Sequence, residues 1–384
     1  RRDGPGRGKM RREQVPTPEV LSDLGRSYAR YGMTREELRR RMMEATPDVV
    51  LITSGMTYWY PGVAEVAEIA HELFPAVPVL IGGVYATLLP DHCRSIAPYA
   101  HVLPGDASVE LARILGREGL PRPSGLLPQN PLPGGAEQQA SRIQGAAVLR
   151  LHAGCRSRCT YCASRMLAPQ FTPGDPDAVA ETMTAWMRQG VRTFAFYDDA
   201  LLEDAEQGVL PLSERLLAHY EEGAMEIHLP NAIHARKLTP RIARQLRRMG
   251  VREVRLGVES LDEAFHRRYD GKLTSAELEE TVRMLETAGF DPSEIIAYVL
   301  AGLPGQEAGE VEASVRELRS RGLAVSISEY SPVPGSPLFE EACRRSRYPL
   351  ASDPLCQNNS AFPTASERFT RADLSRIKRL AQGG

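Results

Sequence analysis

The run Val148-Leu149-Arg150-Leu151-His152-Ala153-Gly154-Cys155-Arg156-Ser157-Arg158-Cys159-Thr160-Tyr161-Cys162 decides how the rest of the chain is read. Val148–Leu151 reads as a short strand, and three cysteines follow it in the spacing C-x₃-C-x₂-C. Cysteine thiolates on short loops hold iron–sulfur clusters. Three thiolates leave one iron of a four-iron cubane open to the N and O donors of another molecule. The rival reading is zinc, which in structural sites takes four ligands in paired halves. A fourth ligand would then have to come from His152, Cys93, Cys343 or Cys356. Plain buried cysteines are the third reading.

Downstream, strand-like runs begin near Val148, Thr193, Glu226, Val254, Ile295 and Ala324, with helices between them. Asp175-Pro176 and Thr239-Pro240 offer an N-cap followed by Pro at the first helical position, and Gly190 and Gly250 end those helices. Thr274 with Glu277 makes a capping box closed by Gly289. Six βα units in about 190 residues are too few for a full eight-fold barrel. They predict an open six-stranded (βα)6 partial TIM barrel with its working face at the C-terminal strand ends.

Upstream, Asp48–Thr53, Val77–Ile81 and Ala100–Leu103 read as strands, with a helix near Val63–Phe74 and another from Ala107. That alternation predicts a small Rossmann-like parallel-sheet domain in an α/β chain. Residues 119–145 are rich in Pro, Gly and Gln without a period, and read as a linker. The expected organisation is therefore an N-terminal domain over 1–118, the linker, a barrel over 146–340 and a C-terminal extension over 341–384, with a last helix from Thr370.

A net charge of −2 gives no reason to expect nucleic acid as a partner. Arginines crowd the first 41 residues, but Glu36-Glu37 followed by Arg40-Arg41 has the i,i+4 spacing of ion pairs on a solvated helix face. No run approaches the ~18 apolar residues that span a bilayer, and no signal-peptide pattern is present. The chain does not begin with Met, as expected of a fragment or a processed product. Six unevenly spaced cysteines, three of them clustered, suit a reducing cytoplasm better than a disulfide framework.

The C-x₃-C-x₂-C loop, with Tyr161 before its last cysteine and on the first strand of a βα barrel, resembles the radical S-adenosylmethionine (SAM) superfamily. The resemblance implies a [4Fe–4S] cluster on Cys155, Cys159 and Cys162, with SAM chelating the open iron. It implies reductive cleavage of SAM to methionine and a 5′-deoxyadenosyl radical that acts on a substrate the sequence does not identify. Tyr161 would lie near the adenine. Tyr197-Asp198-Asp199 stands where the family usually has Gly-Gly-Glu, so Asp198 or Asp199 would accept from the SAM ammonium; the pair could instead cap the next helix. Arg236 would pair with the SAM carboxylate, and His234 is either structural or an acid–base group. Glu259 and Ser260 occupy the ribose-contacting position, and the turn Gly302-Leu303-Pro304-Gly305-Gln306 would bring the backbone at Leu303 to the adenine. An electron donor such as a flavodoxin or ferredoxin is the expected partner.

Residues 47–116 resemble the cobalamin-binding domain that precedes many radical SAM cores, through Pro47-Asp48-Val49-Val50, Ser54-Gly55-Met56 and Gly82-Gly83. Tyr58-Trp59-Tyr60-Pro61-Gly62 and Gln357-Asn358-Asn359-Ser360 belong to the same pattern. Cobalamin is thus a candidate third cofactor. The family's Asp-x-His-x-x-Gly segment, which supplies an axial histidine, has no counterpart, since no histidine precedes His71. The segment is missing, the site is vestigial, or cobalamin binds without a protein imidazole. Three functions follow in order: a radical SAM enzyme, a cobalamin-dependent radical SAM methyltransferase, and a non-catalytic iron–sulfur or zinc module.

Overall fold

The computed structural model describes residues 10–117, 119 and 146–383. The linker expected over 119–145 therefore lies outside the described residues, Gly119 excepted. Residues up to 119 together with Ser331–Pro363 form one compact unit, and those from 146 to 330 with 364–383 form a second. Among the described residues no helix is long and apolar enough to cross a membrane.

The N-terminal unit opens with an antiparallel ribbon of β1 (Arg12–Gln14) and β2 (Ala29–Tyr31). A parallel sheet follows in the order β3 (Val50–Ser54), β4 (Val79–Gly82), β5 (His101–Val102). The helix Tyr60–Leu73 packs Val63 and Ala67 on one face with Ile52, Ile81 and Tyr85. Leu103 and Ile114 cover Leu80 on the other. The basic segment is neutralised locally. Helix Arg35–Met43 buries none of its residues and ties to Tyr60–Leu73 through Arg35–Glu68 and Arg39–Glu72, with Arg40–Glu44 and Arg41–Glu37 along its own length. Such exposed pairs hold little free energy each, but they leave no arginine of this helix unpaired. The segment Ser331–Pro363 is fixed in this unit by Gln357, whose Oε1 accepts from the Thr57 hydroxyl at 2.5 Å.

The second unit carries six parallel strands in two triplets: β6 (Ala146–Leu149), β7 (Thr193–Phe196), β8 (Glu226–His228), then β9 (Val254–Glu259), β10 (Ile295–Ala301), β11 (Ala324–Glu329). Single parallel bridges, Ile227 with Val251 and Ile233 with Leu256, join β8 to β9, so the strands follow one another in chain order as an open partial barrel. One face of each strand is sealed by helices. Phe194 of β7 stacks on Trp186 of the helix Pro176–Arg188, and both are fully buried. The helices start where the sequence says: Asp175 caps Asp177 N, Thr239 caps Ile242 N, and Thr274 with Glu277 forms a complete capping box.

Candidate active site

The cysteine loop is shaped at its base by contacts that spare the sulfurs. Directly after β6, the Leu151 and His152 amides donate to the Asp198 carboxylate at 3.0 and 2.6 Å, and both of its oxygens are engaged. Asp198 is buried, and burial pushes its carboxyl up to about 6 even though those donors pull it down. Ala153 and Thr172 exchange two backbone hydrogen bonds of 3.0 and 2.9 Å, closing the loop. Gly154 makes the entry turn at φ +79°, where a Cβ would stand 2.7 Å from the Gln170 carbonyl. The crown is pinned by Thr160 N donating to Tyr269 O at 2.8 Å. Cys155 and Cys159 are half-buried, Cys162 is exposed, and all three thiols are free.

The donor set suits a cluster. Ser157 N and Ser164 N each approach a sulfur, those of Cys155 and Cys162, at 3.4 Å, and hydrogen bonds to sulfur are among the means by which proteins tune iron–sulfur centres. Among the described residues no three His, Cys, Asp or Glu side chains converge on a single ion. Three cysteines that each serve a different iron need not.

A buried charge network lies beside this loop. Glu259, the last residue of β9, has φ +62°, a conformation that costs a non-glycine residue about 1–3 kcal/mol and clusters at functional sites. Its Oε1 accepts from Lys272 Nζ at 2.7 Å. Asp270 accepts from the Lys272 amide at 3.0 Å and the Tyr161 hydroxyl at 2.7 Å, and contacts His266 Nδ1 at 2.8 Å. The other His266 nitrogen faces the Ser260 carbonyl at 3.0 Å. Both ring nitrogens thus face acceptors, and a ring that donates twice is an imidazolium. Burial opposes that charge, but Asp270 raises the pKa above its ordinary value. Burial likewise works against the Lys272 ammonium, and Glu259 and Cys159 outweigh it to raise its pKa. Burial pushes the Cys159 thiol up to about 11, with Lys272 acting in the opposite direction, and it raises Tyr161 as well.

The other expected positions are distributed unevenly around this centre. Asp199 accepts from the Ser164 hydroxyl at 3.2 Å, and that hydroxyl in turn lies 3.2 Å from Cys162 Sγ. Arg236 is exposed and engaged: its Nε donates to Glu277 at 2.8 Å and another nitrogen to the Gly271 carbonyl. Ser260 Oγ accepts from the Asp262 amide at 3.0 Å. Leu303 is buried in a turn organised by Gln306, whose Oε1 accepts from the Gly302 and Leu303 amides while its Nε2 donates to Leu300 O. His234 is pushed down to about 4 by burial and then by Lys272. Glu203, which sequence reasoning passed over, is buried 3.1 Å from Lys237 and 4.0 Å from Arg156 of the cysteine loop. Lys272, Asp270 and His266 were also missed; their only linear signal is the polar turn Asp270-Gly271-Lys272.

In the N-terminal unit, the C-terminal sheet edge is made of small residues. Ser54 bridges to Gly83, which sits at φ +84° with no room for a Cβ beside Thr53 and Ser54. Of its three histidines, His71 stacks on Tyr99, His92 meets the Tyr85 hydroxyl at 2.6 Å, and His101 begins β5. None follows β3, whose loop carries Met56, Thr57, Tyr58 and Trp59. Among the described residues of this unit, the edge is made of small residues and carries no histidine.

Six parallel βα strands with a three-cysteine loop after the first are the arrangement expected of a radical SAM barrel, and comparison with known proteins points to the same segment. Residues 149–318 match the radical SAM superfamily. Those residues are a radical SAM domain, and a small parallel-sheet unit stands ahead of it in the chain. The protein is a radical SAM enzyme whose cofactors include a [4Fe–4S] cluster and SAM. The radical SAM methyltransferase TsrM from Kitasatospora setae, solved with tryptophan substrate and a SAM analogue, superposes with a TM-score of 0.68 at 15% identity, over 89% of this chain and 80% of that one. The cobalamin-dependent enzyme OxsB with aqua-cobalamin bound gives 0.59 at 14% identity, over 81% of this chain and 49% of that one. No curated protein sequence matches.

Proposed function

We propose that Cys155, Cys159 and Cys162 hold the cluster and that the charged residues beside them receive SAM. The observation that carries this is the Lys272–Glu259 pair, a buried and strained arrangement next to Cys159. With both groups bound, the reduced cluster supplies the electron that splits SAM into methionine and a 5′-deoxyadenosyl radical. Asp199 is the carboxylate offered to the SAM ammonium, because Asp198 spends both oxygens on Leu151 and His152. Lys272 is the cation for the SAM carboxylate, because it lies within electrostatic reach of Cys159, whereas Arg236 is exposed and bonded to Glu277 and Gly271. Glu259 faces the ribose, Tyr161 and Ser260 brace the loop and the strand end, and the Gln306-held turn at Leu303 receives the adenine.

Between Cys155 and Thr172 the loop carries Arg156, Arg158 and Arg165 and no acidic residue. An acidic electron donor such as a flavodoxin or ferredoxin suits that surface, and free thiols suit a cytoplasmic setting. The test is anaerobic reconstitution followed by dithionite reduction and mass spectrometry of SAM products. About four Fe and four sulfides per chain with reductant-dependent 5′-deoxyadenosine are expected, and both should vanish in Cys155→Ala, Cys159→Ala and Cys162→Ala. Full activity in any one of the three would sink the ligand assignment.

A second reading, methyl transfer through cobalamin, is favoured by the small-residue edge of the N-terminal sheet. Cobalamin would bind there without a protein imidazole. Stoichiometric cobalamin in protein from cobalamin-fed cells, and S-adenosylhomocysteine formed only in its presence, are the expected results; protein free of cobalamin overturns this reading.

A further inference from the structure

We infer that the inner face of β6–β8 is a binding site for a small substrate that joins a carboxylate to an aromatic body, with Arg150 taking the carboxylate and Tyr197 the ring. This rests on the radical SAM reading above, since it concerns what the barrel holds for that chemistry.

The parallel registers sort each strand into two faces. Ala147 pairs with Phe194 and Phe194 with Ile227; Leu149 pairs with Phe196. All five are buried, and Trp186 on Phe194 marks this as the helix-covered side. The opposite face carries the rows Ala146–Thr193–Glu226 and Val148–Ala195–His228. Tyr197 N donates to Leu149 O at 2.9 Å, which extends the ladder and sets Arg150 beside Tyr197 in a third row. None of these residues is buried, and Val148 and Tyr197 are 45% and 51% exposed. A parallel sheet is ordinarily covered on both faces, and barrels of this type fill their interior with their own side chains. Among the described residues the inner layer of the first half-barrel is only partly covered, with an apolar and an aromatic side chain on show.

The charge on that face is specific. Among the described residues Arg150 makes no hydrogen bond or ion pair. Its one marked electrostatic neighbour is Asp198, whose oxygens are already committed to Leu151 and His152. A half-buried guanidinium whose N–H donors are unbonded, Asp198 being near in charge but not hydrogen-bonded to it, is matched in shape and charge by a carboxylate, which it grips through two parallel N–H bonds. Asn231 fixes the rim, donating to the Tyr197 and Asp198 carbonyls at 3.2 and 3.0 Å. Tyr298 of β10 reaches the same rim, donating to Pro230 O at 3.2 Å. A flexible rim would cost binding entropy, and this one is held. The exposed Tyr197 ring offers a face or edge to an aromatic partner, within one strand position of the guanidinium.

The experiment uses the full chain with its cluster reconstituted and SAM saturating, and phenylacetate as probe in ligand-observed NMR titrations. Saturable binding is expected, about tenfold weaker for the neutral isostere phenylacetamide, about tenfold weaker for phenylacetate on Arg150→Gln, and intermediate on Arg150→Lys. The lysine variant keeps the test alive if the glutamine variant does not fold. No binding of phenylacetate, equal binding of phenylacetamide, unaltered affinity in Arg150→Gln, or displacement of the probe by SAM would each overturn the inference, the last by giving Arg150 to the SAM carboxylate. Substrate-free 5′-deoxyadenosine formation by the wild type separates the two levels. If it fails with a cubane present, the underlying reading fails; if it proceeds while phenylacetate does not bind, only the substrate site is lost.

Discussion

Lys272→Met removes the ammonium from the buried network and leaves Glu259 without its cation. The Nζ–Oε1 distance is 2.7 Å, and the two side chains are only 15% and 11% exposed. At an effective dielectric of about 20, unit charges at that distance attract by about 6 kcal/mol, most of it offset by the desolvation of both groups. The variant feels a different quantity, the cost of stranding a buried carboxylate, which is about 3–5 kcal/mol. Lys272→Met/Glu259→Gln removes both charges and should recover at least half of the loss. Of the two tryptophans, Trp186 is buried in the barrel and Trp59 lies in the N-terminal unit. In a Trp59→Phe background, tryptophan fluorescence during urea unfolding therefore follows the barrel alone, which matters because a two-unit chain need not unfold in one step. The pH dependence is fixed as well. The folded pKa of Lys272 is raised above its ordinary 10.5, so the pair contributes fully below that value and is lost only as pH rises beyond it. The destabilisation should be flat from pH 6 to 9. A loss below about 1 kcal/mol, or a double variant as unstable as the single, would refute the claim that this is a coupled buried pair.

Three further predictions are independent of it. Asp198 has its folded pKa raised to about 6 from 3.8, so its ionisation weakens the fold as pH climbs through that window. Relative to Asp198→Asn, the wild type should lose about 2 kcal/mol between pH 4 and 6, and parallel stability curves would exclude the burial penalty. Asp199→Ala should weaken SAM binding about tenfold in equilibrium dialysis while the cluster stays in place; unchanged affinity removes Asp199 from the ammonium site. Arg158→Glu with Arg165→Glu should slow cluster reduction by a flavodoxin about tenfold at low salt without slowing reduction by dithionite, and equal slowing with both reductants would argue against a docking role.

The barrel was legible because its signals are local. Asp175, Thr239 and Thr274 cap helices two or three residues away, and the cysteines share one loop, so spacing alone carries the reading. The charge network was not legible. Tyr161 meets Asp270 across 109 positions of chain, and Asp270-Gly271-Lys272 by itself reads as an ordinary solvated turn. No sequence rule marks Glu259 as left-handed, because the conformation is imposed on a residue that does not favour it. Arg236 shows the converse. Its strand-end position invites pairing with SAM, yet the capping box that was read correctly at Thr274 supplies Glu277 as its partner. Arg150 carried no motif at all; only the register beside Tyr197 and the partly covered inner layer make it conspicuous.

The way the cysteine loop is held explains why cluster loss and unfolding should be separable. Ala153 with Thr172 closes its base, Thr160 N on Tyr269 O holds its crown, and the Tyr161 hydroxyl on Asp270 ties it to the buried charge network. None of these bonds uses a sulfur. The two amides that do approach sulfur, at Ser157 and Ser164, lie within the loop itself. The contacts that shape the loop thus do not run through the sulfurs, and much of the ordering cost of a cluster site falls on folding. Replacing one cysteine should empty the site while leaving the barrel's urea transition within about 1 kcal/mol of the unloaded wild type. A cysteine variant that unfolds the barrel would mean instead that the thiols themselves hold the loop, and that the scaffold described above is subordinate to them.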